Sequence, residues 1–178
     1  MVEPKVLSEK VIFDKSNWIK IVSAKLKFPA GIVDWDFLEL GEIVVTIPVD
    51  KDKNVYLIRE WRPAHKRYVT EAPAGFYKGP DDEAQRQLQA RNEMMEEAGF
   101  DCRNLKKLAV LLSGARSRQK IHVYLATDLF PCKKAPDEHE YVDVIKMPID
   151  EAILHFRTKE EPIAFTLVGL MLAKEKLK

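Results

Sequence analysis

Asn92-Glu93-Met94-Met95-Glu96-Glu97-Ala98-Gly99-Phe100 sets three carboxylates within five residues, just ahead of a glycine. At about 100° per residue, Glu93, Glu96 and Glu97 share one sector of a helical wheel, with Asp82, Arg86 and Gln89 further down the same side. Ala84, Leu88, Met95 and Ala98 form the opposite stripe, which is expected to bury against a sheet. Pro80 suits a first helical position, Asp81, Asp82 and Glu83 suit the positive N-terminal end, and Gly99 suits the left-handed position past the last turn. The pattern predicts a helix over 80–98.

Like charges at these spacings weaken an isolated helix by a few tenths of a kcal/mol per pair, about 0.2–0.5. Two readings account for them. One is a solvated acidic face, common on soluble helices. The other is a divalent cation, because Mg2+ takes hard oxygen ligands and is held by a few carboxylates together with substrate phosphates.

What surrounds the helix favours the second reading. Glu71-Ala72-Pro73-Ala74-Gly75 followed by the acidic helix resembles the Nudix hydrolase signature, a glycine loop leading into Arg-Glu-x-x-Glu-Glu-x-Gly. Val55-Tyr56-Leu57-Ile58-Arg59-Glu60-Trp61-Arg62-Pro63 and Asp137-Glu138-His139-Glu140-Tyr141-Val142-Asp143-Val144 resemble the flanks of the ADP-ribose pyrophosphatase and nucleoside-diphosphate-sugar hydrolase branch. The resemblance runs from about residue 43 to 155. Three departures mark this chain. From Gly75 to Glu93 the spacing is three residues longer, leaving Asp82 and Glu83 as candidates for the family's first loop glutamate. Asn92 stands at the family's arginine position, with Arg91 next to it and expected to point toward the apolar stripe. Gly114-Ala115-Arg116-Ser117-Arg118-Gln119 ends in glutamine where the similar loop ends in glutamate.

Composition narrows the classes further. A chain of 178 residues that is 46% apolar suits one globular unit with a sizeable core, with a small N-terminal subdomain over 1–42 and the main domain over 43–178. With 29 basic and 28 acidic side chains the net charge is +1, which offers no broad attraction for nucleic acid or an anionic membrane. Cys102 and Cys132 form no Cys-x-x-Cys motif and read as idle thiols of a reducing, cytoplasmic protein. The N-terminus lacks the apolar stretch of a signal peptide, and Ile163 to Ala173 reads as a core helix too short to span a bilayer.

Strand signals fall at 5–13, 16–28, 35–39, 42–48, 54–60, 105–112, 120–128 and 141–147, with a turn at Asp50–Asn54 and helices at 150–157 and 162–176. Strands, a helix, strands and then helices predict an α/β fold, a mixed sheet in an α/β/α sandwich preceded by an N-terminal antiparallel β segment.

The resemblance implies a Mg2+-dependent pyrophosphohydrolase, with Mn2+ as a substitute, acting on a nucleotide sugar. It implies that Glu93 and Glu97 ligate the metal, with Glu96 completing or bridging a second ion and the Ala74 carbonyl adding a ligand. Glu140, or else Glu138, is expected as general base. Arg62, and after it Arg59 and Arg116, are expected to hold diphosphate oxygens, with surface ion pairing as the competing role. Trp18, Trp35 and Trp61 either stack on a base or pack in the core or an interface. The four histidines show no ligand spacing. In the matching branch the N-terminal β segment builds a homodimer and helps form the substrate pocket. Two alternatives stand beside hydrolysis of a nucleotide sugar: a Nudix fold that binds nucleotide without turnover, and a hydrolase of another nucleotide such as a dinucleoside polyphosphate.

Overall fold

A computed structural model describes residues 2–16, 19–135 and 141–178, with backbone alone at Ser16. They fall into two compact units, Met1–Glu42 with Leu112–Lys120, and Ile43–Leu111 with Ile121–Lys178.

The first unit is an antiparallel meander of β1 (Lys5–Ser16), β2 (Ile19–Phe28) and β3 (Gly31–Leu40). Phe28 pairs with Gly31 around a tight Pro29-Ala30 turn, and Gly31 takes φ +143°, a conformation that favours glycine. Central β2 buries Val22 and Ala24, whereas Val11, Phe13, Ile32 and Val33 on the outer strands stay exposed. The segment 112–120 joins this unit through backbone hydrogen bonds from Leu38 N to Arg116 O and from Arg118 N to Leu38 O. Arg118 lies over the Phe37 ring and pairs with Glu9 and Glu39.

The second unit holds β4 (Glu42–Pro48), β5 (Asn54–Arg62), β6 (Arg67–Glu71), β7 (Ala74–Tyr77), β8 (Phe100–Leu112), β9 (Lys120–Pro131) and β10 (Asp143–Pro148). One sheet has the order β7-β4-β9-β8 and a second the order β10-β5-β6. The β4–β9 pair is parallel, and the near-continuous apolar runs of both strands are buried on both faces, as a parallel centre requires. Alternation along these strands distributes the side chains. Val45, Ile47, Val123 and Leu125 enter the main core with α2 (Ile149–Thr158) and α3 (Ala164–Lys176), while Val44 and Tyr124 pack with Ala90 of α1 (Glu83–Glu93). Thr46 donates to the Ala90 carbonyl at 3.2 Å. Helices thus cover both sides of a mixed sheet, the expected α/β/α sandwich. On α3, a Cβ at Gly169 would stand 2.7 Å from Ile47 Cδ1, so the absent side chain permits close packing.

The first helix differs from its prediction. It begins at Glu83, because Asp82 caps it by accepting from Ala84 N at 2.7 Å and Gln85 N at 3.3 Å, leaving Pro80 outside. It also changes into a π turn over Met94–Ala98 before Gly99, which has φ +78°. The buried face is that of Arg86, Ala90, Met94 and Glu97, whereas Leu88 and Ala84 of the expected apolar stripe are exposed. Only Met95 and Ala98 of that stripe are buried. Arg86 is accommodated by an ion pair with Asp81 and by the Tyr77 ring, 5.4 Å from the guanidinium carbon. Arg91 reaches the start of β8, donating to the Asp101 carboxylate and the Cys102 carbonyl instead of facing an apolar stripe.

Candidate active site

Strand alternation builds the first wall. Glu60 and Arg62 share a face of β5, and Glu71 lies opposite Ile58 on that same face. Arg62 donates from Nε to Glu71 Oε1 at 2.6 Å and pairs through Nη2 with Glu60 Oε2 at 3.0 Å. Glu71 is only 2% exposed, so its burial relies on the guanidinium as partner. Burial alone would lower the Arg62 pKa, but the hydrogen bond to Glu71 and the charges of Glu71, Glu60 and Glu97 raise it above its ordinary value.

The π turn supplies the second wall. A wider turn interrupts the 100° progression of the α-helix, and Glu97 is buried inward, 5% exposed. Its Oε2 accepts the Ala74 N–H at 2.9 Å, across 23 residues of chain. Beside it, a Cβ on Gly75 would fall 1.9 Å from Glu93 Oε1 and 2.0 Å from its Cδ, so the Glu93 carboxylate occupies the space that any other residue at 75 would fill. Gln89 donates to Glu93 Oε1 at 2.6 Å. Glu96 is half-buried, with Lys134 Nζ 4.0 Å away. A cleft against this turn is lined by Glu96, Glu97, Gly99, Lys133, Tyr141 and Val142.

Of the expected site residues, the structure therefore brings Glu93, Glu97 and Ala74 together, with Glu96 on the same turn. Arg59 lies on the opposite face of β5 from Arg62, its guanidinium 5.9 Å from the Tyr68 ring centre. Arg116 stacks on Trp35 at 4.1 Å and donates to the Asp36 carbonyl within the first unit. Trp18, Glu138, Glu140 and His139 lie outside the described residues. Of the other histidines, His155 pairs with Glu160 at 3.0 Å. The candidates for a first loop glutamate have other partners. Asp82 is the helix cap, and Glu83 takes hydrogen bonds from Lys107 and Tyr124 that outweigh the upward effect of burial and lower its pKa. Gln119 is buried and donates to the Gly41 carbonyl at 2.8 Å. Cys102 and Cys132 are free thiols, and burial pushes Cys102 up to about 11, too high for a nucleophile at neutral pH. Sequence reasoning missed Glu60 and Lys134, set Gln89 on the glutamate side of the helix without a role, and gave Glu71 no role; a glutamate in the largely uncharged run Tyr68-Val69-Thr70-Glu71-Ala72-Pro73 was the available signal.

The donor set is all oxygen, two carboxylates against the one dipeptide Ala74–Gly75, and in chemistry it fits a hard divalent cation. Among the described residues no three His, Cys, Asp or Glu side chains stand ready as a complete metal-binding group. The fit is therefore a pair of protein carboxylates to which other oxygens must be added.

No family model matches the chain. It is 28% identical over 120 residues to the methanol dehydrogenase activator of Bacillus methanolicus, covering 65% of this chain and 63% of that protein. It is 28% identical over 124 residues to the ADP-ribose pyrophosphatase of Bacillus subtilis (strain 168), covering 67% and 64%. The matches thus span under two thirds of the length of these two relatives. With the ADP compounds hydrolase NudE of Escherichia coli (strain K12) it shares 30% identity over 141 residues, covering 77% of this chain and 72% of that one. In fold it is similar to a crystal structure of an ADP compounds hydrolase, with a TM-score of 0.82, 23% identity, and coverage of 99% of this chain and 95% of the other. With the glycine loop and glutamate turn in place, these relationships show that the chain belongs to the Nudix hydrolase superfamily, in its ADP-ribose pyrophosphatase branch.

Proposed function

We propose that this protein hydrolyses the diphosphate of a nucleoside diphosphate sugar, with ADP-ribose or a hexose derivative such as GDP-mannose as substrate, to a nucleoside monophosphate and a sugar phosphate. The observation that carries the proposal is the convergence of Glu93 and Glu97 on Ala74–Gly75. The names of two relatives, an ADP-ribose pyrophosphatase and an ADP compounds hydrolase, support the substrate class.

In this reading Glu93 and Glu97 hold Mg2+, or Mn2+ in its place, with the Ala74 carbonyl as a further donor and Glu96 serving a second ion. When bound there, the cation supplies neutralisation of phosphate charge and acidification of water. Arg62 holds Glu71 and Glu60 in place through its ion pairs, and the remainder of its guanidinium faces diphosphate oxygens. Glu140, or Glu138, takes the proton from the attacking water. The segment 1–42, with Trp18, Trp35 and Arg116, contributes to the substrate pocket in a cytoplasmic homodimer; exposed Val11, Phe13, Ile32 and Val33 support such an interface. No helix among the described residues is long and apolar enough to cross a membrane.

The test is a panel of ADP-ribose, GDP-mannose and a dinucleoside polyphosphate with Mg2+, read by chromatography of the products. Monophosphate from the sugar nucleotides supports the proposal. Preference for the polyphosphate moves the substrate class, and calorimetric binding without any product identifies a nucleotide-binding module instead.

A further inference from the structure

The chain that leaves β9 is fastened to the π turn by two backbone hydrogen bonds, Cys132 N to Gly99 O at 3.0 Å and Lys134 N to Met95 O at 3.2 Å. This fastening sets the Lys134 side chain along the turn, where its ammonium donates to Asn92 Oδ1 and stands 4.0 Å from Glu96 Oε1. Asn92 and Glu96 are four residues apart, so a single cation spans both ends of one helical turn. The lysine is 44% exposed and Glu96 26%. A pair as open to solvent as this contributes little to stability, which gives folding little use for it. Its consequence lies in geometry.

We infer that Lys134 is a positioning residue of this site: by bridging Asn92 and Glu96 it fixes the Glu96 carboxylate on the π turn beside Glu97. Asn92 is the neutral acceptor that allows the cation to arrive from a distant segment instead of from the helix itself. The placement of Glu96 stands on the hydrogen bond to Asn92 and the ion pair to Glu96 alone, whereas its effect on turnover rests on the hydrolase reading above.

The test compares the full-length protein with Lys134→Met, Lys134→Arg and the double variant Asn92→Arg/Lys134→Met, which returns a cation four residues ahead of Glu96. Hydrogen exchange without metal is measured first. Lys134→Met is expected to speed exchange of the Met95–Gly99 amides roughly threefold or more, with Lys134→Arg close to wild type. Mn2+ affinity by calorimetry is expected to fall in Lys134→Met and recover in the double variant. With ADP-ribose and Mg2+, kcat per folded molecule, with the folded fraction read by circular dichroism, is expected to fall roughly tenfold at unchanged KM and to recover in the double variant. Unchanged exchange in Lys134→Met overturns the inference whether or not the protein hydrolyses anything. Active wild type with a fully active Lys134→Met overturns it as well, while the hydrolase reading stands. Wild type that neither binds Mn2+ nor turns over substrate refutes the hydrolase reading, and the exchange data alone then decide the placement of Glu96.

Discussion

The Glu93 carboxylate lies where a Cβ on Gly75 would be, with Oε1 only 1.9 Å from that position. The glycine of the loop and the first glutamate of the turn are therefore one device, and neither can change alone. Gly75→Ala should push the carboxylate aside, and because the displaced atoms end a flexible side chain the fold should yield by no more than about 1 kcal/mol. The expected outcome is a kcat for ADP-ribose lowered by about 10- to 100-fold with a nearly unchanged urea midpoint. Full activity would show that the contact has no bearing on the chemistry.

Arg62→Met should leave Glu71 buried at 2% exposure without its guanidinium. Breaking such a pair costs about 3 kcal/mol. Urea denaturation at neutral pH should register the loss, and a midpoint equal to wild type would mean that Glu71 does not depend on Arg62.

Asp50 contributes acid-sensitive stability to the second unit. Burial acts to raise its pKa, but the Lys146 ammonium at 2.8 Å, hydrogen bonds from Asn54 and the Asp52 N–H together lower it from 3.8 to about 2. A folded-state pKa below the unfolded value gives stability that is complete above pH 4 and is lost as pH falls toward 2. Asp50→Asn should flatten the stability curve across that window. Parallel curves for the two proteins would contradict this assignment.

Gly169→Val should destabilise the fold by about 1–3 kcal/mol, because its Cβ would already press to 2.7 Å from Ile47 Cδ1 and 3.2 Å from Val123 Cγ1. Thermal unfolding measures this, and an unchanged midpoint would show that α3 can lift from the sheet without penalty.

Much of this architecture was legible in the chain. The apolar runs at 42–48 and 120–128 gave the central strands, Asp50–Asn54 gave a turn that the Asp50 carboxylate closes by accepting from Asp52 N and Asn54 N, and Gly99 gave the helix end. The short strands β6 and β7 went unread because their few residues carry little periodicity and owe their pairing to Ile58, Thr46 and other distant partners. The wrong face was assigned to the helix for two physical reasons. A wheel assumes one period throughout, and the π turn breaks it; and polarity suggested exposure for Arg86 and Glu97, which are buried against Tyr77 and Ala74. Glu93, Glu97 and Ala74 were singled out through the motif, and the structure brings them side by side. Lys134 was invisible because its contact with Asn92 spans 42 residues and depends on the fastening after β9.

The most direct test sets wild-type protein beside Glu97→Gln, with ADP-ribose and saturating Mg2+, and follows the release of AMP. Glu97→Gln is isosteric and keeps an oxygen for the Ala74 N–H, so it removes charge more than shape. The account predicts steady release by wild type and a loss of roughly a hundredfold or more in the variant with ADP-ribose still bound. Equal rates in the two proteins would contradict it.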